Sequence, residues 1–187
     1  PSAGGTVSVN TRAAEVDPGS GIKMSIGDNS YQKFTAFHNT GVNELGWSSS
    51  FLLGFWQGDG WRNGMQGEGT TYAFSVGYTP RGSDHEFNFS LIGAGQWHHQ
   101  AYYGTQLQDY LDYGPIQGDD YRKFNQLYGE YQGEEFSVLR NYYNKPLATF
   151  NWDWEISSRV TLATSIYGSA GRGGGTGLRG RGSYGVT

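Results

Sequence analysis

Leu147-Ala148-Thr149-Phe150-Asn151-Trp152-Asp153-Trp154-Glu155-Ile156 decides the fold class. Ala148, Phe150, Trp152, Trp154 and Ile156 fall on one side; Leu147, Thr149, Asn151, Asp153 and Glu155 fall on the other. A strand turns successive side chains to opposite faces, so this stretch is a β-strand with one face suited to oil and the other to water. Four more stretches alternate in the same way. Ile22, Met24 and Ile26 oppose Lys23, Ser25 and Gly27; Tyr72, Phe74, Val76 and Tyr78 oppose Thr71, Ala73, Ser75 and Gly77. Phe87, Phe89 and Leu91 oppose Glu86, Asn88 and Ser90; Val160, Leu162, Thr164 and Ile166 oppose Arg159, Thr161, Ala163, Ser165 and Tyr167. All match the strand template better than the helical one. A soluble β-sandwich also alternates, so periodicity leaves sandwich and membrane barrel both open.

The connections separate them. A short strand is predicted at 4–12, a linker at 13–21, and then seven longer strands near 21–27, 31–40, 47–56, 70–79, 84–93, 147–156 and 159–168. In the second, Phe34 and Ala36 share a face with His38 while Phe37 points away; in the third, Trp47, Phe51, Leu53 and Phe55 share a face. Turns after the second, fourth and sixth strands are short, whereas 57–69, 95–145 and 169–187 are long; the tight turn after the first strand is the exception. Antiparallel neighbours send alternate connections to opposite ends, and outer-membrane barrels gather short turns at one end and long loops at the other. Strands of about nine to eleven residues also suit a tilted crossing of the hydrocarbon.

Composition agrees. The chain has 187 residues, with 31 Gly, 14 Tyr, 10 Phe and 6 Trp but only 5 Pro. Tyr and Trp gather where an apolar body meets a wet edge, as in the girdles of such barrels. Mean hydropathy is −0.60, and no run approaches a spanning helix, which does not bear on spanning strands. A net charge of −4 leaves no basic footprint for nucleic acid. Without cysteine there is no disulfide framework and no thiolate metal site. No signal peptide is visible at Pro1, so the sequence reads either as processed or as an internal piece of something longer.

Several motifs, in this order, resemble the plugged, TonB-dependent transporters of the bacterial outer membrane. Gly4-Gly5-Thr6-Val7-Ser8-Val9 resembles the last plug strand, and Gly27-Asp28-Asn29-Ser30-Tyr31-Gln32 the first barrel hairpin. Gly58-Asp59-Gly60-Trp61-Arg62-Asn63-Gly64 resembles the start of an outer loop. Gly93 to Gln100, Asn141 to Pro146 and Gly171 to Gly177 are similar to segments of the Bacteroidota, SusC-like branch. The resemblance implies an all-β chain forming about seven strands of a larger, 22-stranded plugged barrel. Residues 1–13 would end the plug, 14–20 link it, and 21–187 begin the barrel with its long extracellular loops. Seven strands cannot close such a barrel, and an open edge in lipid strands its backbone polar groups, so the chain is expected to be a segment. The family implies active import of a glycan, peptide or siderophore, coupling to the TonB complex through the plug, and a SusD-like surface lipoprotein as lid. Two other readings stay open: a soluble carbohydrate-binding β-sandwich, and a barrel serving adhesion or assembly.

Little in the sequence points to bond chemistry. His98 and His99 are adjacent on a strand and so face opposite ways, which disfavours a shared metal. Asp153 and Glu155 read as lumen lining, or as ion-pairing with Arg159 across the Ser157-Ser158 turn, rather than as an acid–base pair. Gln57-Gly58-Asp59-Gly60 lacks the further acidic ligands of a calcium loop, and Gly171 to Gly177 lacks the ending of a phosphate loop. We therefore expect no catalytic residues, no cofactor and no metal. Ligand contacts are expected from loop aromatics, which offer rigid area with a polar tip: Trp61, Trp97, Tyr102, Tyr103, Tyr110, Tyr113, Tyr121 and Tyr128, with His98 beside them. Packing among the loops is the competing role for each. Lipid contacts are expected from Phe51, Leu53, Phe55, Phe74, Val76, Phe87, Phe89, Phe150, Trp152, Trp154, Leu162 and Ile166.

Overall fold

The structure is a computed structural model and describes residues 11–101 and 104–177. After a 3-10 turn at Ala13–Glu15 come β1 (Gly19–Ile26), β2 (Gln32–Asn39), β3 (Trp47–Gly58), β4 (Gly67–Tyr78) and β5 (His85–His99). The excursion that follows holds α1 (Leu107–Tyr113), 3-10 turns at Gly114–Ile116 and Tyr121–Lys123, and the hairpin β6 (Tyr128–Tyr131) and β7 (Glu134–Ser137). The chain returns through β8 (Arg140–Asn144), β9 (Leu147–Ser157), β10 (Val160–Ser169) and β11 (Arg172–Gly175).

Nine of these strands form one antiparallel sheet. β5 pairs with β9 through Ile92↔Leu147 and with β8 through Gln96↔Tyr143, in one unbroken register, so Lys145 and Pro146 merely interrupt a single ribbon. The same holds for β10 and β11, which pair with β9 and β8 through Ser169↔Leu147 and Arg172↔Asn144. The sheet is therefore an up-and-down meander of seven ribbons, each beside its neighbour in sequence. It is open: β1 and β10 each leave an edge unpaired within it.

Turn chemistry sets the order. Between β1 and β2, Asn29 and Ser30 take φ of 56° and 57°, and Gly27 N–H bonds Tyr31 O; two positive φ values in a tight turn match the right-handed twist of a hairpin. Asn43 Oδ1 accepts from Leu45 N and Trp47 N and so folds the β2–β3 connection. Gly46 has φ +85° and lies against the Thr79 backbone, where any Cβ would collide.

The alternation read from the sequence maps onto two faces. Cross-strand pairing joins Met24, Phe34 and Phe55 on one face, then Phe51, Phe74, Leu91 and Ala148. Val76, Phe89, Phe150 and Ile166 follow on that face, then Trp47, Tyr78, Phe87 and Trp152. Every residue expected to meet lipid lies here, with Leu53 beside Tyr72 and Leu162 beside Trp154. In the same registers Lys23, Lys33, Glu86, Asp153 and Glu155 all fall on the opposite face. The strand charges on the apolar face are Glu68, Arg140 and Arg172, gathered at the end that carries the long excursion.

No second sheet covers the apolar face among the described residues; the other sheet is the two-stranded β6–β7. Ile22, Met24 and Ile26 are more than 70% exposed, and Phe74, Phe89 and Phe150 more than 40%. Among the described residues the buried apolar side chains are Ala13, Phe124 and Leu127. Accessible surface is 13508 Å². A compact monomer of this mass would show about 8,900 Å².

Several elements exceed the sequence expectation. The linker ends at Pro18, since residues 19 and 20 already pair in β1. β3 and β4 run on to Gly58 and from Gly67, which shortens the loop to 59–66. β5 continues through Gly93-Ala94-Gly95 to His99, and β8 and β11 lie where loops were expected. Glycines hide these extensions because they carry no side chain for the alternation to register. Residues 4–10 of the first short strand, Tyr102, Tyr103 and the chain beyond Gly177 lie outside the described residues; Thr11 and Arg12 are not in a strand.

Candidate functional site

The polar face is where this chain buries its contacts. Thr11 to Glu15 lie across it. Arg12 Nη1 donates to Glu86 Oε1 at 3.2 Å and to Asp153 Oδ2, which joins β5 and β9 to the incoming segment. These two carboxylates hold the guanidinium proton more firmly than usual, against the opposing effect of burial. Asp153 is thus paired with Arg12 rather than with Arg159. Ala13 N donates to Asn88 Oδ1 at 3.2 Å, and Ser75 Oγ donates to Thr11 O at 2.6 Å. Ser48, Ser75, Asn88 and Ser90 are buried beneath the segment or beside it. A hollow of about 390 Å³ opens next to Arg12, lined by Ser90, Thr149 and Asn151 among others. A strand face of Ser, Asn and Thr is an expected consequence of the alternation, and it covers itself by hydrogen bonding because it has little apolar surface to bury.

The second region is the cluster of connections at the far end of β1, β3 and β5. Asp59 N–H bonds Asn29 O, and Asn63 N–H bonds Lys123 O, each at 2.9 Å, so three separate connections are tied together. Asn125 is the hub and is 1% exposed. Its Nδ2 donates to Asn63 O at 2.9 Å, its Oδ1 accepts from Leu127 N, and its backbone exchanges two bonds with the Gln117 side chain. Phe124 and Leu127 are both buried within the cluster, Phe124 against α1. Tyr110 meets Phe124 edge-on at 5.9 Å, and Tyr113 stacks on it at 6.2 Å. Helix α1 starts at a capping box between Gln106 and Asp109.

A polar cleft of about 440 Å³ lies between these loops. Asn29, Asp59, Trp61, Arg62, Asn63, Lys123, Tyr128 and Glu135 line it. Lys123 Nζ stands 5.5 Å over the Trp61 ring, which remains 55% exposed. Burial and a hydrogen bond to Glu135 raise the Tyr128 hydroxyl above its ordinary value. The size suits a small molecule, and both signs of charge with amide groups suit a polar one.

The aromatic candidates therefore separate. Trp61 and Tyr128 line the cleft. Tyr110 and Tyr113 serve the loop core, with Arg62 stacked over Tyr110 at 5.6 Å. Tyr121 is exposed on its 3-10 turn, backing onto Gly114. Trp97 lies on the apolar face, where its Nε1 donates to Glu68 Oε1 at 2.8 Å, while His98 points to the other face and has its ring beside Gln100. Asn63, Gln117 and Asn125 escaped sequence reasoning. Their only signal is amide residues inside long connections, Asn63 in the glycine-rich one and Gln117 and Asn125 in the tyrosine-rich one, and their roles depend on contacts far apart in the chain. Among the described residues no group of three or more His, Asp or Glu side chains is placed to hold a metal. No family model, curated protein or solved structure matches the chain.

Proposed function

We propose that this chain is wall from a plugged outer-membrane β-barrel of the TonB-dependent kind, which imports a nutrient across the bacterial outer membrane. One observation carries the reading: the N-terminal segment covers the polar face over β3, β4, β5 and β9, while the apolar face is left uncovered across all seven ribbons. A soluble sheet does the reverse. A barrel in lipid needs this polarity, with apolar residues outward and a polar lumen. From Trp47 to Phe55 the uncharged band of β3 extends about 27 Å at 3.4 Å per residue, close to a tilted crossing. Its border near the short turns is aromatic: Trp47 stacks on Tyr78 at 4.3 Å, and Trp152 on Trp154 at 6.4 Å.

In this reading Thr11 to Ala13 are the end of the plug, resting on the lumen wall with the first linker residues beside them, and the loop cluster faces the exterior. The cleft beside Trp61 receives a small nutrient ligand, a SusD-like lipoprotein lids the barrel, and the TonB complex withdraws the plug to open a path. The soluble-sandwich alternative would need a second sheet over Phe89 and Phe150.

These 187 residues hold no cysteine, so a single reporter placed among them is the only thiol in this stretch. In cell envelopes, a nitroxide at Phe89→Cys should be more accessible to oxygen, which concentrates in lipid, and one at Thr149→Cys more sheltered from it. Equal access of both to a water-soluble nickel chelate would end the membrane reading. Cells lacking this protein and cells lacking the TonB complex should lose uptake of the same nutrient; loss in only one strain would end the coupled-import reading.

A further inference from the structure

Loop 59–66 gives the cleft beside Trp61 most of its lining. Its backbone turns at two left-handed glycines, Gly60 with φ +72° and Gly64 with φ +66°. On one side it is tied to the long excursion, through Asn63 N–H to Lys123 O. On the other side it meets the end of β5. His99 N–H bonds Gln66 O at 2.9 Å, and the Gly64 carbonyl accepts a hydrogen bond from the His99 imidazole. The rest of that ring is closed in. Its Nδ1 is buried, with no hydrogen-bond partner among the described residues. The Trp97 ring lies 5.4 Å away, centroid to centroid. Arg140 stands directly opposite His99 on β8 and is anchored there: its Nε donates to Ser137 O at 3.1 Å, and its guanidinium lies over the Phe136 ring at 5.0 Å. This corner lies beyond the apolar band. Phe55 is level with Thr70 and Gly95, and His99 is about 14 Å further along β5.

We infer that His99 is a proton-sensitive latch on the cleft: neutral, it fastens loop 59–66 to β5, and protonated, it releases the loop. That the cleft holds a ligand is the reading given above; the latch supplies its regulation. A neutral imidazole has one N–H and one bare nitrogen. The N–H serves Gly64. A second proton creates a buried donor with no acceptor and sets a cation beside the Arg140 guanidinium, and both are costly. Undocking the loop brings water to the ring and relieves both. Arg140 and, on β5 itself, His98 oppose a charge on the ring. The other ionisable groups on the surrounding elements are Glu68, Asp59, Arg62 and Glu135. Glu68 is turned to Trp97 Nε1, and Glu135 bonds the Tyr128 hydroxyl. Burial first, and then Arg140, push the His99 imidazole below its ordinary value, with the Gly64 carbonyl pulling the other way. The docked loop therefore binds the proton less well than the free loop. Docking is complete above the ordinary imidazole value and is lost as pH falls from there toward the docked value.

The test is hydrogen exchange in the full-length protein, purified in detergent, from about pH 8 to about pH 5, corrected for the intrinsic pH dependence of exchange. Asn63 N–H is the reporter. Its protection should hold down to about pH 6.5 and then fall by up to about tenfold per pH unit, while β3 and β4 keep theirs. Asp120, held below the ordinary aspartate range, stays ionised throughout and contributes nothing to this fall. His99→Gln keeps a donor for Gly64 and cannot titrate, so the profile at Asn63 should become flat. His98→Gln should leave the fall in place. A flat profile in the unaltered protein, a fall that survives His99→Gln, or one abolished by His98→Gln overturns the latch and leaves the cleft and the membrane wall standing. A protein that needs no detergent overturns the wall instead, and the latch, which lies outside the band, is still decided by the same profile.

Discussion

Arg12 shows how a single side chain joins distant parts of this molecule. Its guanidinium sits half-buried between Glu86 and Asp153, which belong to β5 and β9. Replacing Asp153 with Asn keeps the shape and removes one charge, so the 11–15 segment should loosen by about 1–2 kcal/mol, read as faster amide exchange at Ala13. The double mutant with Arg12→Gln should lose less than the sum of the singles; strict additivity would show that the two groups do not interact. Asn125 is the larger liability. Asn125→Ala strands the Asn63 carbonyl and the Leu127 N–H in the loop core, which should cost about 2–3 kcal/mol and expose residues 104–139 to proteolysis while the sheet stays intact. Asp120 gives a weaker, pH-linked effect. The Arg122 side chain first, then its backbone N–H, hold this half-buried carboxylate below its ordinary range. A depressed acid contributes stability that is present above its unfolded pKa and lost as pH falls through its folded pKa. The 3-10 turn at Tyr121–Lys123 should therefore fray on acidification below the ordinary aspartate range, and Asp120→Asn should remove that pH dependence, measured by amide exchange at Arg122.

Among the elements, the strands that the sequence showed plainly are those whose two faces differ most. β9 alternates without a break, and β4 and β10 nearly so, so each sets a row of apolar side chains against a row of polar ones. The extensions of β5, β8 and β11 were illegible for a different reason. Gly93, Gly95 and the glycines of 173–175 carry no side chain, and Pro146 reads as a strand end although the register passes through it. Helix α1 is too short to show a period and is held by Phe124, which lies beyond it in the chain. Of the candidate site, the aromatic character of the loops was readable. Which rings face the cleft and which fill the loop core was not, since that depends on how three connections dock. Gly64 tests the docking. It has φ +66° and lies against the Tyr128 ring, so Gly64→Val should push loop 59–66 off the β6–β7 hairpin. The measurement is hydrogen exchange at Asn63, whose N–H bonds Lys123 O; protection there should fall while β3 and β4 keep theirs.

The whole molecule has its polarity reversed relative to a soluble domain, and that reversal makes a depth-dependent prediction. Phe150 lies mid-band, between Phe89 and Ile166, whereas Trp154 lies at the aromatic border beside His85. Asn151 is adjacent to Phe150 but on the polar face, opposite Asn88. In the full-length protein folded into lipid bilayers, Phe150→Arg should cost about 2–4 kcal/mol, since it places a charge near the hydrocarbon midplane. Trp154→Arg should cost about 0–1 kcal/mol from charge burial, with a further contribution from the lost ring packing against Trp152. Asn151→Arg, one residue from the most costly position, should be near neutral if this face lines a barrel, where a lumen wall is wet. Reversible urea titration of the bilayer-folded protein measures all three. The order 150, then 154, then 151 follows from two variables alone, face and depth. A soluble protein would respond to burial against its own core instead, and because Phe150 is already 41% exposed in this chain, an arginine there would cost a soluble form little. A small effect at Phe150 with a large one at Asn151 would therefore place water on the apolar face and remove the membrane from the account.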